Sequence, residues 1–323
     1  MRIGPVHVTL SAVRILALIV LAGVPALMAP AQTNTNSLDQ LFQAAEQFAR
    51  ENFDDSVLQL FDPVDRDRVE QFLRDVQQRF DSDYVIDIDE LQDAARAVLP
   101  LLEAHEETQP YAAWLKSRLD YFVVVEKLKR SVAPPQPKPG EPPGPIPPPG
   151  PELERKVWKT QFEKSPWPKA AGEFVPQLKP VFAKQGVAPE LVWIAEVESS
   201  FDPRARSPAG AVGLFQLTPD TAKRMGLSLW PWDERKRAEP SARATAQYLR
   251  HLYGQFHDWR LALAAYNAGE GRVRALLARH KTKSFDAIAT KLPAETQLFV
   301  PKVEATLLRR EGVTLSNLKP AKG

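Results

Sequence analysis

Apolar residues recur at helical spacing along most of the chain, and the alternating period of a half-buried strand is almost absent. Leu38, Leu41, Phe42, Ala45 and Phe48 mark one amphipathic stripe. Val69, Phe72, Leu73, Val76 and Phe80 mark a second, and Leu91, Ala94, Ala95, Val98 and Leu102 a third. Tyr111 to Lys129 reads as a further helix with Trp114, Leu115, Leu119, Phe122 and Val123 on its apolar side. After a break, the pattern predicts helices over Phe174 to Gln185, Pro189 to Ser199, Pro219 to Met225, Pro240 to Phe256, Leu261 to Tyr266, Gly271 to His280 and Thr296 to Arg310. Between them, Gly186 to Pro189, Asp202-Pro203, Pro208 to Gly213, Pro231 and Gly269 to Gly271 are the punctuation of short loops. The expected fold class is all-α.

The break is compositional. A third of the 30 prolines fall between Ala133 and Gly150. Such a stretch cannot build a core and favours extended polyproline II, with a reach of about 55 Å at roughly 3.1 Å per residue. It parts an acidic region from a basic one. Residues 32–131 carry 21 acids and 11 bases and residues 132–323 carry 19 acids and 29 bases, so a total of +2 conceals halves of −10 and +10. The basic half suits an anionic polymer or simply attracts the acidic half, and no basic groove with interleaved aromatics argues for nucleic acid.

The first residues change the compartment expected. Arg2 and Arg14 stand in an acid-free start, Ile15 to Val24 is apolar, and Ala29-Pro30-Ala31 offers small residues before Gln32. That is the pattern of a secretory signal peptide, so the protein is expected in the periplasm or cell envelope, a retained N-terminal anchor being the alternative. The apolar run is about half of the roughly 20 residues that span a bilayer. The expected organisation is therefore a signal peptide over 1–31, a small acidic helical N-terminal domain over 32–131, a proline-rich linker over 132–151, a second helical domain over 152–316 and a tail over 317–323.

The chain has no cysteine, which excludes a thiol nucleophile, a disulfide framework and a cysteine-held metal. Its five histidines, His7, His105, His251, His257 and His280, include no i,i+4 pair, so no metal and no cofactor are expected.

Acid/base chemistry points to Pro189–Phe201. Leu191, Ile194 and Ala195 fall at i, i+3 and i+4 of a helix, and position i+7 on that stripe is Glu198. A carboxyl group at the end of an apolar stripe is poorly solvated, which disfavours its ionised form and equips it to donate a proton near neutral pH. Glu196 follows Val192 and Trp193 on a neighbouring stripe and competes for the same role. About 200° of helix separates the two, too far round for the facing carboxylate pair of a retaining glycosidase, about 5 Å apart. Periodicity leaves both open, and capping or pairing with an arginine remains the structural alternative for either.

Glu198-Ser199-Ser200-Phe201-Asp202-Pro203, followed by Ser207-Pro208-Ala209-Gly210-Ala211-Val212-Gly213-Leu214-Phe215-Gln216 up to Ala222, resembles the first two motifs of the soluble-lytic-transglycosylase (SLT) catalytic domain. Ala264-Ala265-Tyr266-Asn267-Ala268-Gly269-Glu270-Gly271 resembles the third. Leu292-Pro293-Ala294-Glu295-Thr296 up to Lys302 is similar to the closing segment of the D-type subgroup of membrane-bound lytic murein transglycosylases. The resemblance covers about residues 170 to 310. It implies a lysozyme-like all-helical catalytic domain over 152–316, acting on peptidoglycan glycan strands. It assigns the acid to Glu198, the one glutamate followed by serine at the end of the first motif helix. It further implies that Ser199, Gln216, Tyr266 and Asn267 contact substrate, with Tyr266 holding Glu198. Phe215 and Phe299 stand where the family more often has methionine and tyrosine, so Phe215 is expected to keep an apolar cleft wall and Phe299 to lack a hydrogen bond.

The activity so implied is cleavage of the N-acetylmuramic acid to N-acetylglucosamine bond with closure of a 1,6-anhydro ring, Glu198 serving as acid and then base. A goose-type lysozyme-like hydrolase is the nearest alternative, and a non-catalytic wall-binding scaffold is one of another class. Residues 32–131 hold no catalytic constellation and are read as packing or as a dock for a cell-wall protein.

Overall fold

The computed structural model describes residues 63–322 apart from 83, 105, 133–145 and 164. The expected signal peptide, the stripe from Leu38 to Phe48 and the centre of the proline-rich stretch lie outside the described residues. The first described helices follow the sequence pattern closely. α1 (Pro63–Asp81) buries Phe72, Leu73, Val76 and Phe80. α2 (Gln92–Ala104) buries Ala95, Val98 and Leu102, with Leu91 closing a 3-10 turn over Val85–Leu91 just before it.

The helix expected over Tyr111 to Lys129 is two helices, α3 (Gln109–Lys116) and α4 (Leu119–Ser131). The Ser117 hydroxyl donates to the Trp114 carbonyl at 2.7 Å, and its N–H reaches the same carbonyl at 3.1 Å, so the helical ladder tightens and stops there. The corner points Ser117 and Arg118 inward, and both are buried.

α5 (Pro151–Phe162) opens on proline and buries Val157, Trp158 and Phe162. α6 (Ala171–Lys184) follows, then a 3-10 turn over Pro189–Trp193 running into the short α7 (Ile194–Ser199), where periodicity predicts one helix. α8 (Pro219–Arg224), α9 (Ala238–Phe256), α10 (Trp259–Ala268), α11 (Glu270–Arg279), α12 (Phe285–Ile288) and α13 (Ala294–Glu311) complete the set. Among the described residues there is no strand, only isolated bridges joining Val212 to Arg206 and to Leu217, so the all-α expectation holds.

α13 is the hub. It is buried nearly all round, which a helix does when neighbours surround it. It packs on α5, on α10, on α7 with its preceding turn, and on the turn over Val85–Leu91. Residues 65–323 accordingly form one compact unit. Residues 65–131 therefore do not stand apart as a separate domain. An aromatic series joins the halves: Phe80 meets Trp114 (6.4 Å between centroids) and Tyr121 (6.0 Å), Tyr121 meets Trp158 (5.6 Å), and Trp158 meets Phe162 (5.9 Å). Lys302 of α13, itself buried, donates to Asp120 at 2.8 Å and to the Ser117 carbonyl at 2.6 Å, and its ammonium lies 4.6 Å from the Tyr121 ring centre. The main chain joins too: the Ala294 N–H at the start of α13 donates to Ser82, and the Arg206 N–H donates to Pro110.

Candidate active site

Glu198 occupies the last turn of α7. The helix ends because Ser200 and Phe201 turn left-handed, with φ of 52° and 63°. The Ser200 N–H returns to the Glu196 carbonyl and the Phe201 N–H to that of Ala195, which satisfies carbonyls that a helix end would otherwise leave open. Both motif acids are buried. Each has found an arginine, and the two arginines differ.

Glu196 is held from both sides of its carboxylate. Arg310 donates through Nη2 to Oε1 at 2.6 Å and through Nε to Oε2 at 3.0 Å, while Nη2 also reaches the Pro166 carbonyl at 2.7 Å and Nη1 the Ser165 carbonyl at 3.2 Å. The guanidinium also lies 5.4 Å and 5.8 Å from the ring centres of Trp167 and Trp193. A fork-to-fork pair with no oxygen to spare is a structural tie.

Glu198 is held on one side. Arg118, from the corner between α3 and α4, donates through Nη2 to Oε2 at 2.9 Å and also to Glu295 Oε1 at 3.1 Å, while Nη1 donates to the Glu198 main-chain carbonyl. The Ser117 hydroxyl reaches that carbonyl at 3.1 Å. No hydrogen bond among the described residues reaches Glu198 Oε1. Burial pushes the Glu198 carboxyl up, the Arg118 charge pulls it down and Glu295 raises it again, leaving it at about 7. Burial works against the Arg118 charge, but Glu295 and Glu198 together hold it above its ordinary value.

The motif loop from Ala205 to Leu217 lies against α7. Ser199 Oγ donates to the Leu214 carbonyl at 2.9 Å and to Ala195 at 3.1 Å. Gln216, at φ 46°, donates through Nε2 to Ala205 and Gly213, both at 3.0 Å, and its buried Oε1 has no partner among the described residues. Tyr266 donates to the Phe215 carbonyl at 2.6 Å. Gly213, at φ 87°, lies where a Cβ would strike the Arg235 carbonyl. Arg235 in turn donates to the carbonyls of Gly210 and Leu217.

The structure thus brings Ser199, Gln216 and Tyr266 to one loop beside Glu198. Tyr266 feels the Glu198 charge, which adds to burial in raising its phenol well above the usual range, yet its hydroxyl holds the loop and not the acid. Asn267 is engaged elsewhere, accepting from Thr296 at 2.6 Å. Phe215 is wholly buried against Phe182, with centroids 5.7 Å apart, and so belongs to the core. Phe299 stacks near-parallel on Tyr266. Arg118 went unnoticed in the sequence, because it lies 80 residues before its partner and outside every motif, and Glu295 stood there only as a member of the closing motif with no role of its own. Among the described residues, no group of three or more His, Asp or Glu could hold a metal, and no helix is long and apolar enough to cross a membrane.

Residues 182–289, from the end of α6 to the start of the last turn before α13, match the Transglycosylase SLT domain family. The chain carries a transglycosylase SLT domain. Over 126 residues it is 40% identical to membrane-bound lytic murein transglycosylase D of Escherichia coli (strain K12), covering 38% of this chain and 28% of that protein. Over 147 residues it is 34% identical to membrane-bound lytic murein transglycosylase F of Enterobacter sp. (strain 638), covering 40% of this chain and 27% of that protein. The chain thus spans less than a third of the length of these two relatives. Among solved structures it aligns with the 70 kDa soluble lytic transglycosylase of Escherichia coli at 16% identity and a TM-score of 0.38, over 89% of this chain and 51% of that one. The SLT domain as matched contains Glu198, Ser199, Gln216, Tyr266 and Asn267 but neither Arg118 nor Glu295.

Proposed function

We propose that the protein is a peptidoglycan lytic transglycosylase that cleaves between N-acetylmuramic acid and N-acetylglucosamine with Glu198 as its one acid/base. The observation that carries this reading is the Glu198 carboxyl, buried within the SLT match, at about 7 and with one oxygen free. Protonated, it donates to the glycosidic oxygen and the bond breaks, leaving an oxocarbenium-like muramic sugar. With Glu196 committed to Arg310, no second carboxylate is free on α7 to act as nucleophile, and the substrate's own N-acetyl group can take that part. Ionised Glu198 then removes the proton of the 6-hydroxyl, whose oxygen closes the 1,6-anhydro ring.

Gln216 is read as a substrate contact through its unpartnered Oε1, and Asn267 as a residue of the cleft wall. Ser199 and Tyr266 are read as shaping the cleft through the Leu214 and Phe215 carbonyls instead of touching sugar. Residues 32–131 are read as an accessory to the SLT domain and not as a dock for a separate wall protein, since the described ones spend Arg118, Asp120 and Tyr121 on it. Export to the cell envelope belongs to the same reading, on the strength of residues 1–31. Digestion of purified peptidoglycan followed by mass spectrometry tests the reaction. Anhydro-muropeptides are expected from the wild type and none from Glu198→Gln; products heavier by one water mean a lysozyme-type hydrolase instead.

A further inference from the structure

We propose that Arg118, supplied by the segment preceding the SLT domain, is a positioning residue for this reaction: it holds Glu198 by Oε2 and the main-chain carbonyl, leaving Oε1 to carry the proton in both steps. The proposal rests on the lytic transglycosylase reading.

The geometry separates the two carboxylate oxygens. Oε2 is committed to Arg118 Nη2 at 2.9 Å, and the Glu198 carbonyl takes Arg118 Nη1, so side chain and backbone are fixed from one direction. The Ser117 hydroxyl, whose one proton is shared with the nearer Trp114 carbonyl, also lies 3.1 Å from the Glu198 carbonyl. Oε1 is left free. Side-chain exposure is 3% for Arg118 and 4% for Glu198, so the pair acts with little screening by water. An arginine is suited to this place because it stays charged throughout. It cannot compete with Glu198 as a proton donor, and its planar fork keeps its aim while Glu198 gains and loses a proton.

The chemistry asks for such a group. A single carboxyl that serves as acid and then as base must be stable in both forms within one turnover. Burial alone favours the protonated form and would leave the carboxylate formed by the first proton transfer without support. Arg118 supplies a fixed positive charge at the oxygen that does not react. Glu295 shares that charge at 3.1 Å and so keeps it from locking Glu198 in the ionised form.

Most other charged and titratable groups around Glu198 are otherwise committed, although the buried Tyr121 hydroxyl has no partner among the described residues. Asp120 and Lys302 neutralise each other at 2.8 Å, with Tyr121 beside them, and Tyr266 donates to Phe215. Arg118 and Glu295 are therefore the two largest charges acting on the acid, with Lys302 adding a smaller pull in the same direction as Arg118.

The test is the pH dependence of muropeptide release from purified peptidoglycan by the full chain, compared for the wild type, Glu198→Gln, Arg118→Met, Arg118→Lys and Glu295→Gln. The wild-type rate should fall as pH rises and Glu198 ionises. Arg118→Met should move that falling limb to higher pH by about one unit or more, with a loss of maximal rate of roughly tenfold or greater. Arg118→Lys, which keeps the charge and loses the fork, should bring the limb part of the way back. Glu295→Gln should move it the opposite way, to lower pH.

Glu295 has a side chain 21% exposed, so its variant carries the decision should Arg118→Met fail to fold. A limb that stays in place in every folded variant makes Arg118 a purely structural residue and overturns the proposal, as does faster release by Arg118→Met, which would make Arg118 a plug. Either result leaves the functional reading intact provided that Glu198→Gln is dead. A wild type that releases no muropeptides, or an active Glu198→Gln, overturns the functional reading and the proposal together.

Discussion

At the scale of single residues, the two acids of α7 show how burial alone fails to identify a catalytic group. Glu196 and Glu198 are both buried and both paired with arginine; they differ in how many oxygens remain. Truncating Glu196 leaves the Arg310 guanidinium buried without its counter-charge, which costs about 3–5 kcal/mol. Glu196→Ala should therefore lower the thermal midpoint sharply, whereas Glu198→Gln should stay folded, since Arg118 keeps Glu295 and the Glu198 carbonyl; melting curves on the two variants compare them directly. Ser199 gives a second contrast. Its hydroxyl bonds to two carbonyls, so Ser199→Ala should cost about 1 kcal/mol and leave KM for peptidoglycan unchanged, where a sugar-contacting serine would raise it. Periodicity narrowed the acid to two candidates and the motif resemblance chose between them. Arg118 was illegible, because nothing in a sequence pattern marks a residue whose partner lies 80 positions away and whose aim depends on a helix corner.

At the scale of elements, legibility followed how much of each helix is amphipathic. α9 and α13 begin within two residues of where their periodic stripes predict them, because long stripes average out local noise. The break at Ser117-Arg118 was missed because the apolar residues on either side continue in helical register across it, Trp114 and Leu115 before and Phe122 after. α5 escaped notice for another reason: its first turn is charged, and one of its acids faces inward. Glu154 is 2% exposed, its Oε1 has no partner among the described residues, and the neighbouring Arg155 is committed to Asp286 at 2.8 Å and 3.1 Å. Burial raises its carboxyl to about 8, with Arg155 pulling down and Asp286 pushing up. In the unfolded chain the same carboxyl ionises near its ordinary 4.5. Below that value both states are protonated and Glu154 adds no pH dependence; between about 4.5 and 8 only the unfolded state ionises, so stability falls as pH rises through this window. Glu154→Gln should accordingly melt like the wild type at acid pH and be more stable by roughly 2–4 kcal/mol above the window, as read by thermal melts across the pH range.

At the scale of the whole molecule, ion pairs join the two halves, Asp120 with Lys302 following their opposite net charges and Arg118 with Glu198 and Glu295 running against them. The aromatic series from Phe80 to Phe162 runs across the same junction. Reading the proline-rich stretch as a spacer between independent modules weighed its composition and not the surfaces at its two ends. Those surfaces are apolar and complementary: Tyr121 and Trp158 are fully buried, and each is covered by the other's half. A chain cut to residues 151–323 would keep every SLT motif and lose this cover. It would expose Trp158 and one face of α13, leave Lys302 without Asp120, and free Glu198 from Arg118. Exposing a contiguous apolar face of this kind invites association, and removing the partner of a buried charge destabilises what remains. Residues 151–323 should therefore express as an aggregating or molten chain, whereas addition of residues 63–131 as a separate polypeptide should restore a cooperative melt and, with it, muropeptide release. Light scattering and thermal melting on the two pieces, alone and mixed, decide the matter: a monomeric, cooperatively melting and fully active 151–323 would mean that the preceding helices only decorate the SLT domain.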